Sequence, residues 1–242
     1  MVTTRTQPGS AGAAATSWQI QLTGEIDTSF DVAHYEIDAD SPGQIIADLH
    51  ASGRTVACYF SAGTWETFRA DAALYPASAI GDPLPDYPDE SFIDIRDPTV
   101  RALMTARLDP MRSSGCDAVV PANLDGYLGT TGFPLTETDA LDYARLLASA
   151  ARARGLRTVL SGGDERFVAA LTGDYDWGRA TGCVMTTDCA EFTPLVTLGR
   201  PVFAVEFGDE TSVPTVCPRA AELGLVAILK HPALDAFRVG CP

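Results

Sequence analysis

The chain has 242 residues, of which 46% are hydrophobic and 20% are charged, so it holds enough apolar material for one large domain or two small ones. Its formal net charge of −15, with an isoelectric point near 4.4, argues against a nucleic-acid backbone or an anionic membrane surface as partner. Because no run of about 18 or more apolar residues occurs, we expect no membrane-spanning helix.

Strand-like and helix-like segments alternate from Trp18 onward, which is typical of a parallel β-sheet covered by helices. Strands are predicted at residues 18–24, 32–38, 55–63, 116–127, 157–163, 175–181, 201–209 and 225–230. Helices are predicted at residues 45–53, 98–115, 135–155, 164–173, 189–199 and 215–224, and a Pro-rich excursion covers residues 75–90. These elements form roughly eight β/α units without a large linker, which predicts an α/β fold: a single-domain (β/α)8 TIM barrel over residues 18–242.

The segment before the barrel, residues 1–17, is rich in Ser, Thr, Ala and Gly. It lacks the apolar stretch of a signal peptide, so we expect a flexible leader or linker. The clearest helix, at residues 135–155, begins with a pattern that resembles a capping box at Thr136 and Asp139 and ends at Gly155.

The cysteines fall into two groups. Cys183 and Cys189 enclose a short segment, and Cys217 and Cys241 bracket residues 217–241, without the spacing or histidines of a zinc site. Two disulfides in an exported protein are therefore predicted. The remaining pair, Cys58 and Cys116, lies in apolar strand-like runs and is predicted to stay as buried thiols.

Polar side chains follow the predicted strands at the end of the barrel that carries function in this fold. Carboxylates framed by aromatic rings suit sugars, because the C–H faces of a sugar stack on rings while its hydroxyls form hydrogen bonds. The polar residues are Asp38, Ser61, Asp94, Asn123, Asp125, Ser161, Glu206 and Asp209, and the aromatic ones are Tyr59, Trp65 and Tyr127.

Signals for a cofactor are absent from the sequence. The histidines at positions 34, 50 and 231 share no spacing typical of a metal site or a catalytic triad. No G-x-G-x-x-G motif or P-loop follows a predicted strand, and Ser61 lacks a G-x-S-x-G elbow. We therefore expect neither a metal nor another cofactor.

Four stretches carry a resemblance to a known family: residues 53–76 with "CYFSAGTWE", residues 92–109 with "DIR", residues 123–156 with "DGY" and "TGFPLT", and "CVMTTDC". In order and spacing they resemble glycoside hydrolase family 114, the endo-α-1,4-polygalactosaminidase-like barrels, over most of residues 18–241. The resemblance implies a secreted TIM barrel that acts on α-1,4-linked, partly deacetylated galactosamine polymers. It also implies a cationic substrate, which the acidic balance of this chain suits.

The chain departs from the family pattern where the chemistry is expected. The family reads E-P-D-N-V-D-G-Y and L-K-N-D, whereas residues 120–127 read V-P-A-N-L-D-G-Y and residues 160–163 read L-S-G-G. The family's N-E-Q-C is A-T-G-C at residues 180–183. By this resemblance, Ala122 and Thr181 stand where the two catalytic carboxylates are expected.

Three hypotheses follow. Because alanine and threonine can neither donate the proton nor stabilise an oxocarbenium ion, the first is a secreted, monomeric barrel that binds an amino-sugar polysaccharide with lost or much reduced hydrolysis. The second is an active glycosidase that uses Asp125 and Glu206 as catalytic residues. The third is a structural or interaction protein without a ligand. The predicted substrate-binding residues are Asp38, Tyr59, Ser61, Trp65, Asp94, Asn123 and Tyr127.

Overall fold

The structure is a computed structural model that describes residues 17–241. Residues 1–16, nearly all of the predicted leader, lie outside the described residues. The strands are β1 (Trp18–Gln21), β2 (His34–Asp38), β3 (Thr55–Ser61), β4 (Thr64–Glu66), β5 (Ile80–Leu84), β6 (Tyr87–Ile93), β7 (Ala118–Ala122), β8 (Arg157–Ser161), β9 (Trp177–Thr181), β10 (Val202–Phe207), β11 (Val226–Lys230) and β12 (Val239–Gly240).

Helices connect the strands of the main sheet and cover its outer face. They are α1 (Gly43–Ala51), α2 (Pro98–Ala106), α3 (Leu108–Ser114), α4 (Glu137–Ala153), α5 (Glu165–Leu171), α6 (Cys183–Thr186), α7 (Thr193–Thr197) and α8 (Val213–Glu222). The predicted capping box of α4 is present: the Thr136 hydroxyl accepts from the Asp139 N–H at 3.2 Å, and the Asp139 carboxylate accepts from the Thr136 N–H at 2.9 Å.

Eight parallel strands lie side by side in the order β1, β2, β3, β7, β8, β9, β10 and β11, and β12 pairs antiparallel with β11. The sheet curls so that the Trp18 indole N–H donates to the Val226 carbonyl at 3.0 Å, which joins the first parallel strand to the last. The predicted (β/α)8 barrel is confirmed. Among residues 17–241, no helix has the length and apolar character needed to cross a membrane.

The sheet has two apolar faces. Trp18, Val120 and Phe203 pack inside the barrel, and a larger cluster fills the layer between the strands and the helices. Successive residues of each barrel strand point alternately into the barrel and toward the helices, and both faces are buried and largely apolar. This alternation decides which side chains reach the barrel mouth.

The Pro-rich excursion is more ordered than its composition indicates. Strands β4, β6 and β5 form a separate three-stranded antiparallel sheet, in which Thr64 pairs with Phe92 and Ile80 with Ile93. We refer to residues 64–95 as the insert. It lies at the C-terminal end of β3, where the Ile93 N–H donates to the Gly63 carbonyl at 3.2 Å.

The prediction of free thiols at Cys58 and Cys116 is wrong. These residues form a disulfide with a Cα–Cα distance of 5.9 Å, because β3 and β7 are neighbours in the sheet and pair Cys58 with Val119, close to Cys116. The other two predicted disulfides, Cys183–Cys189 and Cys217–Cys241, are confirmed. No free cysteine is left among the described residues.

Candidate functional site

The ends of β3 and β7 meet at the barrel mouth and bring two predicted residues together. The Asn123 side-chain amide donates to the Ser61 hydroxyl at 2.7 Å, and that hydroxyl lies in a short contact with the Thr64 hydroxyl. Asn123 has a φ of 60°, and a Cβ at Gly63 would lie 1.7 Å from the Asn123 carbonyl oxygen. Only glycine fits at position 63, so this approach of the two strands is built into the sequence.

Asp125 lies in the loop after β7, and its carboxylate lies next to Gly162, which follows β8. A Cβ at Gly162 would come within 2.8 Å of the Asp125 Oδ2 atom, and Gly162 has a φ of 83°. Burial raises the pKa of Asp125, while hydrogen bonding from backbone N–H groups, including that of Gly163, and the charge of Arg179 act in the opposite direction. Asp125 is therefore a half-buried acid at the mouth.

Two charged residues that sequence reasoning missed lie inside the barrel. The Arg179 Nε atom is 3.3 Å from the Glu36 Oε1 atom without hydrogen-bond geometry, and both side chains are buried. Burial raises the pKa of Glu36, and the Arg179 charge opposes this rise. The guanidinium lies 5.8 Å from the Tyr59 ring centroid and donates to the Thr181 hydroxyl at 2.6 Å. The sequence did contain a signal for them: Glu36 in β2 and Arg179 in β9 each place a charge within a strand that is otherwise largely apolar.

Ala122 and Thr181 are the last residues of β7 and β9. The family resemblance places the catalytic carboxylates at these two positions. Ala122 is buried, and its carbonyl accepts from the N–H groups of Ala62 and Gly63 at 2.9 and 3.1 Å. Thr181 is exposed, and its hydroxyl accepts a hydrogen bond from Arg179. Neither side chain carries an acid.

Glu206 belongs to a different layer. It has the same strand parity as Val202 and Ala204, which pack between the sheet and the helices. Its two carboxylate oxygens accept from the backbone N–H groups of Val184 and Met185 at 2.9 and 3.1 Å, in the first turn of α6. Burial raises its pKa, and these two N–H groups lower it. Both oxygens of Glu206 are thus engaged by α6 on the helix side of β10, and its pairing with Asp125 stays a prediction.

Three of the predicted substrate-binding residues have their polar atoms engaged elsewhere. Both oxygens of Asp38 accept from Arg69 at 2.8 Å, and Asp94 accepts from Arg96 at 2.8 and 2.9 Å. The Trp65 indole N–H donates to the Ala72 carbonyl at 2.9 Å. Asp38 thus links β2 to the insert through Arg69, Trp65 is bonded within the insert, and the pair of Asp94 with Arg96 is local.

The predicted tyrosines are partly covered. Tyr59 lies under Arg179, and burial raises the pKa of its hydroxyl. Tyr127 packs against Phe167 with ring centroids 5.4 Å apart, and burial raises its pKa to about 12. Both hydroxyls therefore stay protonated at neutral pH.

Glu191 is an acid at the mouth that sequence reasoning also missed. It is half-buried in the turn Cys189–Phe192, directly after the short disulfide loop. Burial, with the charges of Asp188 and Asp125, raises its pKa to about 7. Because Asp125 contributes to this rise, the two carboxyl groups are electrostatically coupled across the mouth.

An apolar cavity of about 310 Å³ lies away from this chemistry, behind β3. Phe60, Leu103 and Met111 line it, and the ion pairs of Arg69 and Arg107 form its rim. No group of three or more His, Cys, Asp or Glu side chains within residues 17–241 is arranged to hold a metal ion.

A (β/α)8 barrel with acids and partly covered aromatic rings at its mouth has features that suit the class of carbohydrate-active barrels. Comparison with known families is consistent with this class. The model of glycoside-hydrolase family GH114 matches residues 2–242, and the chain belongs to this family.

Two solved structures have the same fold. Aspergillus fumigatus Ega3, in complex with galactosamine, is 30% identical with a TM-score of 0.89 and is covered over 99% of both chains. The glycoside hydrolase domain of PelA from Pseudomonas aeruginosa is 17% identical with a TM-score of 0.72, covering 93% of this chain and 98% of that one. An uncharacterized protein of Deinococcus radiodurans is 23% identical, and the match covers 95% of this chain and 84% of the relative.

Proposed function

We propose that this chain binds an α-1,4-linked, galactosamine-containing polysaccharide at the barrel mouth and cleaves it slowly or not at all. The observation that carries this proposal is the pair Ala122 and Thr181 at the ends of β7 and β9. Hydrolysis needs two carboxyl groups about 5 to 9.5 Å apart across the scissile bond. A methyl group and a hydroxyl that accepts from Arg179 supply neither of them.

The alternative pair, Asp125 with Glu206, has little support from the contacts. Both oxygens of Glu206 accept backbone hydrogen bonds from α6, and breaking them would leave the buried Val184 N–H without a partner. Its strand parity also directs it toward the helices rather than the mouth.

A second candidate function is residual hydrolysis by Asp125 with Glu191. The observation that favours it is the pKa of Glu191, which burial and two neighbouring carboxylates raise to about 7. An acid that titrates near the working pH is suited to donating a proton to a leaving group. Replacement of Glu191 by Gln would separate this candidate from simple binding.

The choice of a cationic sugar rests on charge. The net charge of the chain is −15, and Asp125, Asp188 and Glu191 interact at the mouth, whereas Arg179 is paired with Glu36. Such a field favours an ammonium group over a carboxylate. Ega3, which has the same fold at 30% identity, has been solved with galactosamine.

The test is calorimetry of the wild type with α-1,4-galactosamine oligomers, followed by mass spectrometry of the same mixtures. We expect binding without shortened products. The double variant Ala122→Asp/Thr181→Glu should recover partial cleavage, and neither single variant should do so, because the acid and the nucleophile act as a unit. Robust cleavage by the wild type that Asp125→Asn or Glu191→Gln abolishes would contradict loss of activity and favour the second candidate.

We also infer that the protein acts outside the cytoplasm. Three disulfides, one of them between strands β3 and β7, need an oxidising compartment to form and persist. Production with and without export, followed by thiol titration, tests this inference. A stable, fully reduced protein with unchanged binding would contradict it.

A further inference from the structure

A second cavity opens where β10 and β11 end, and Asp209 is the one polar residue predicted at the mouth that lines it. It is a depression of about 370 Å³ that is widely open to solvent. Its lining is mostly polar and consists of Gly208, Asp209, Thr211, Ser212, His231 and Pro232.

Phe207 connects this cavity to the barrel mouth. It is the last residue of β10, pairs with Lys230, and precedes Gly208 of the cavity lining. It has the same strand parity as Phe203 and Val205, which pack inside the barrel, yet 38% of its surface is exposed. An exposed ring on the inner side of a strand end offers a stacking surface at the rim of the mouth.

Asp209 presents a fixed negative charge to the cavity. Its Oδ1 atom accepts from the Thr211 N–H at 2.9 Å and from the Thr211 hydroxyl at 2.5 Å. These bonds lower the pKa of Asp209, so it stays ionised through the neutral range. Within residues 17–241 its second oxygen makes no hydrogen bond with another residue, so it remains available to a donor.

His231 is held in place from two sides. Its ring stacks on Phe237 with centroids 3.9 Å apart and an interplanar angle of 7°, and its Nδ1 atom lies 3.1 Å from the Asp235 Oδ2 atom. The Asp235 Oδ1 atom in turn accepts from the Phe237 N–H at 3.0 Å. The ring is therefore oriented in advance, with Nε2 unbonded among the described residues.

We propose that this cavity is a second saccharide subsite, which takes one amino-sugar unit of a polymer whose neighbouring units occupy the barrel mouth. The Asp209 carboxylate pairs with the ammonium group, His231 Nε2 bonds a hydroxyl, and the Phe207 ring packs on the C–H face of the sugar. This inference rests on the proposed function, because the chemistry of the unit comes from the polymer proposed there.

Calorimetry of a length series tests the subsite. Galactosamine and its α-1,4-linked oligomers of two to seven units would be titrated into the wild type, Asp209→Asn and Phe207→Ala, with Asp48→Asn as a control that removes one charge on the outer helix α1. Asparagine can keep the Thr211 turn, so Asp209→Asn removes charge and leaves the loop intact.

We expect affinity to rise with length in the wild type, and Asp209→Asn to weaken the long oligomers by about fivefold to tenfold while short ones bind unchanged. N-acetylated oligomers should not distinguish Asp209→Asn from the wild type. Equal binding of all lengths by the wild type, Asp209→Asn and Phe207→Ala would overturn the subsite and leave the proposed function intact. Failure of the wild type to bind any oligomer would instead overturn both.

Discussion

The two sides of the barrel mouth differ in how many hydrogen-bond partners the protein supplies to a buried arginine. On the side of the insert, the buried Arg69 donates to Asp38, Asp40 and Glu66 at 2.8 to 3.0 Å. On the side of β7 to β9, the equally buried Arg179 makes one hydrogen bond, to Thr181, and an ion pair without hydrogen-bond geometry. We call the first side saturated, because the protein itself supplies partners for its charged groups, and these contacts stabilise the fold. We call the second side unsaturated, because the Arg179 guanidinium has N–H groups left to donate to a ligand.

The largest expected effect is on the saturated side. Arg69→Met leaves the buried Glu66 without its closest cation, so we expect a loss of about 3–5 kcal/mol in the free energy of unfolding. Urea denaturation followed by circular dichroism measures it. The control is Arg152→Met, whose ion pair with Asp174 is half-exposed and should contribute less than about 1 kcal/mol. A loss at Arg69 as small as this control would remove the distinction between the two sides.

The disulfide Cys58–Cys116 joins the two sides, because β3 precedes the insert and β7 precedes Asp125. Its ring spans a sequence separation of 58 residues. The double variant Cys58→Ala/Cys116→Ala should lose about 2–4 kcal/mol, chiefly through a larger unfolded-state entropy. Denaturation of the variant beside the oxidised wild type measures this loss. Unchanged stability would show that neither side depends on the link.

On the unsaturated side, the double variant Glu36→Gln/Arg179→Met should change stability by about 1 kcal/mol or less, since a buried pair with poor hydrogen bonding gains little over well-packed neutral groups. The single variant Arg179→Met should be clearly worse, because it leaves Glu36 buried and unpaired. A double variant as damaged as the single one would show that the ion pair is needed for folding. Denaturant midpoints at pH 7 separate these outcomes.

The last prediction concerns Glu191 and depends on pH. Its folded pKa of about 7 lies above the value of 4.5 for an unperturbed glutamate, so the folded state keeps a proton that the unfolded state has lost. Stability should therefore fall as pH rises from about 4.5 to about 7. Glu191→Gln should flatten this part of the profile and be the more stable form at pH 8 but not at pH 4, as thermal unfolding would show. Identical profiles would mean that Glu191 titrates normally.

The sequence predicted the fold better than the direction of its side chains. The alternation of elements predicted the barrel because each β/α unit carries its own local signals, such as the capping box at Thr136. The insert was missed because Pro83 and Pro88 lie within its strands, where proline normally argues against a strand.

Glu206 shows why the site was harder to predict. In "VFAVEF" both faces of the strand are buried, so hydrophobicity alone could not decide which parity faces the barrel interior. An acid at position 205 or 207 of β10 would instead share the parity of the residues that face the barrel interior. Asn123, directly after β7, and Ser61, the last residue of β3, are hydrogen-bonded to each other at the strand ends, and their role in substrate binding stays a prediction.

The seam between β1 and β11 has a consequence for how the chain reaches its native state. Trp18 bonds to Val226 across 208 positions, and Arg238 donates to the Trp18 carbonyl at 2.8 Å. During synthesis, β1 therefore emerges long before residues 226–241, which cover its free side. An uncovered strand edge can pair with another chain, so the interval before the seam closes is when this protein is most exposed to aggregation.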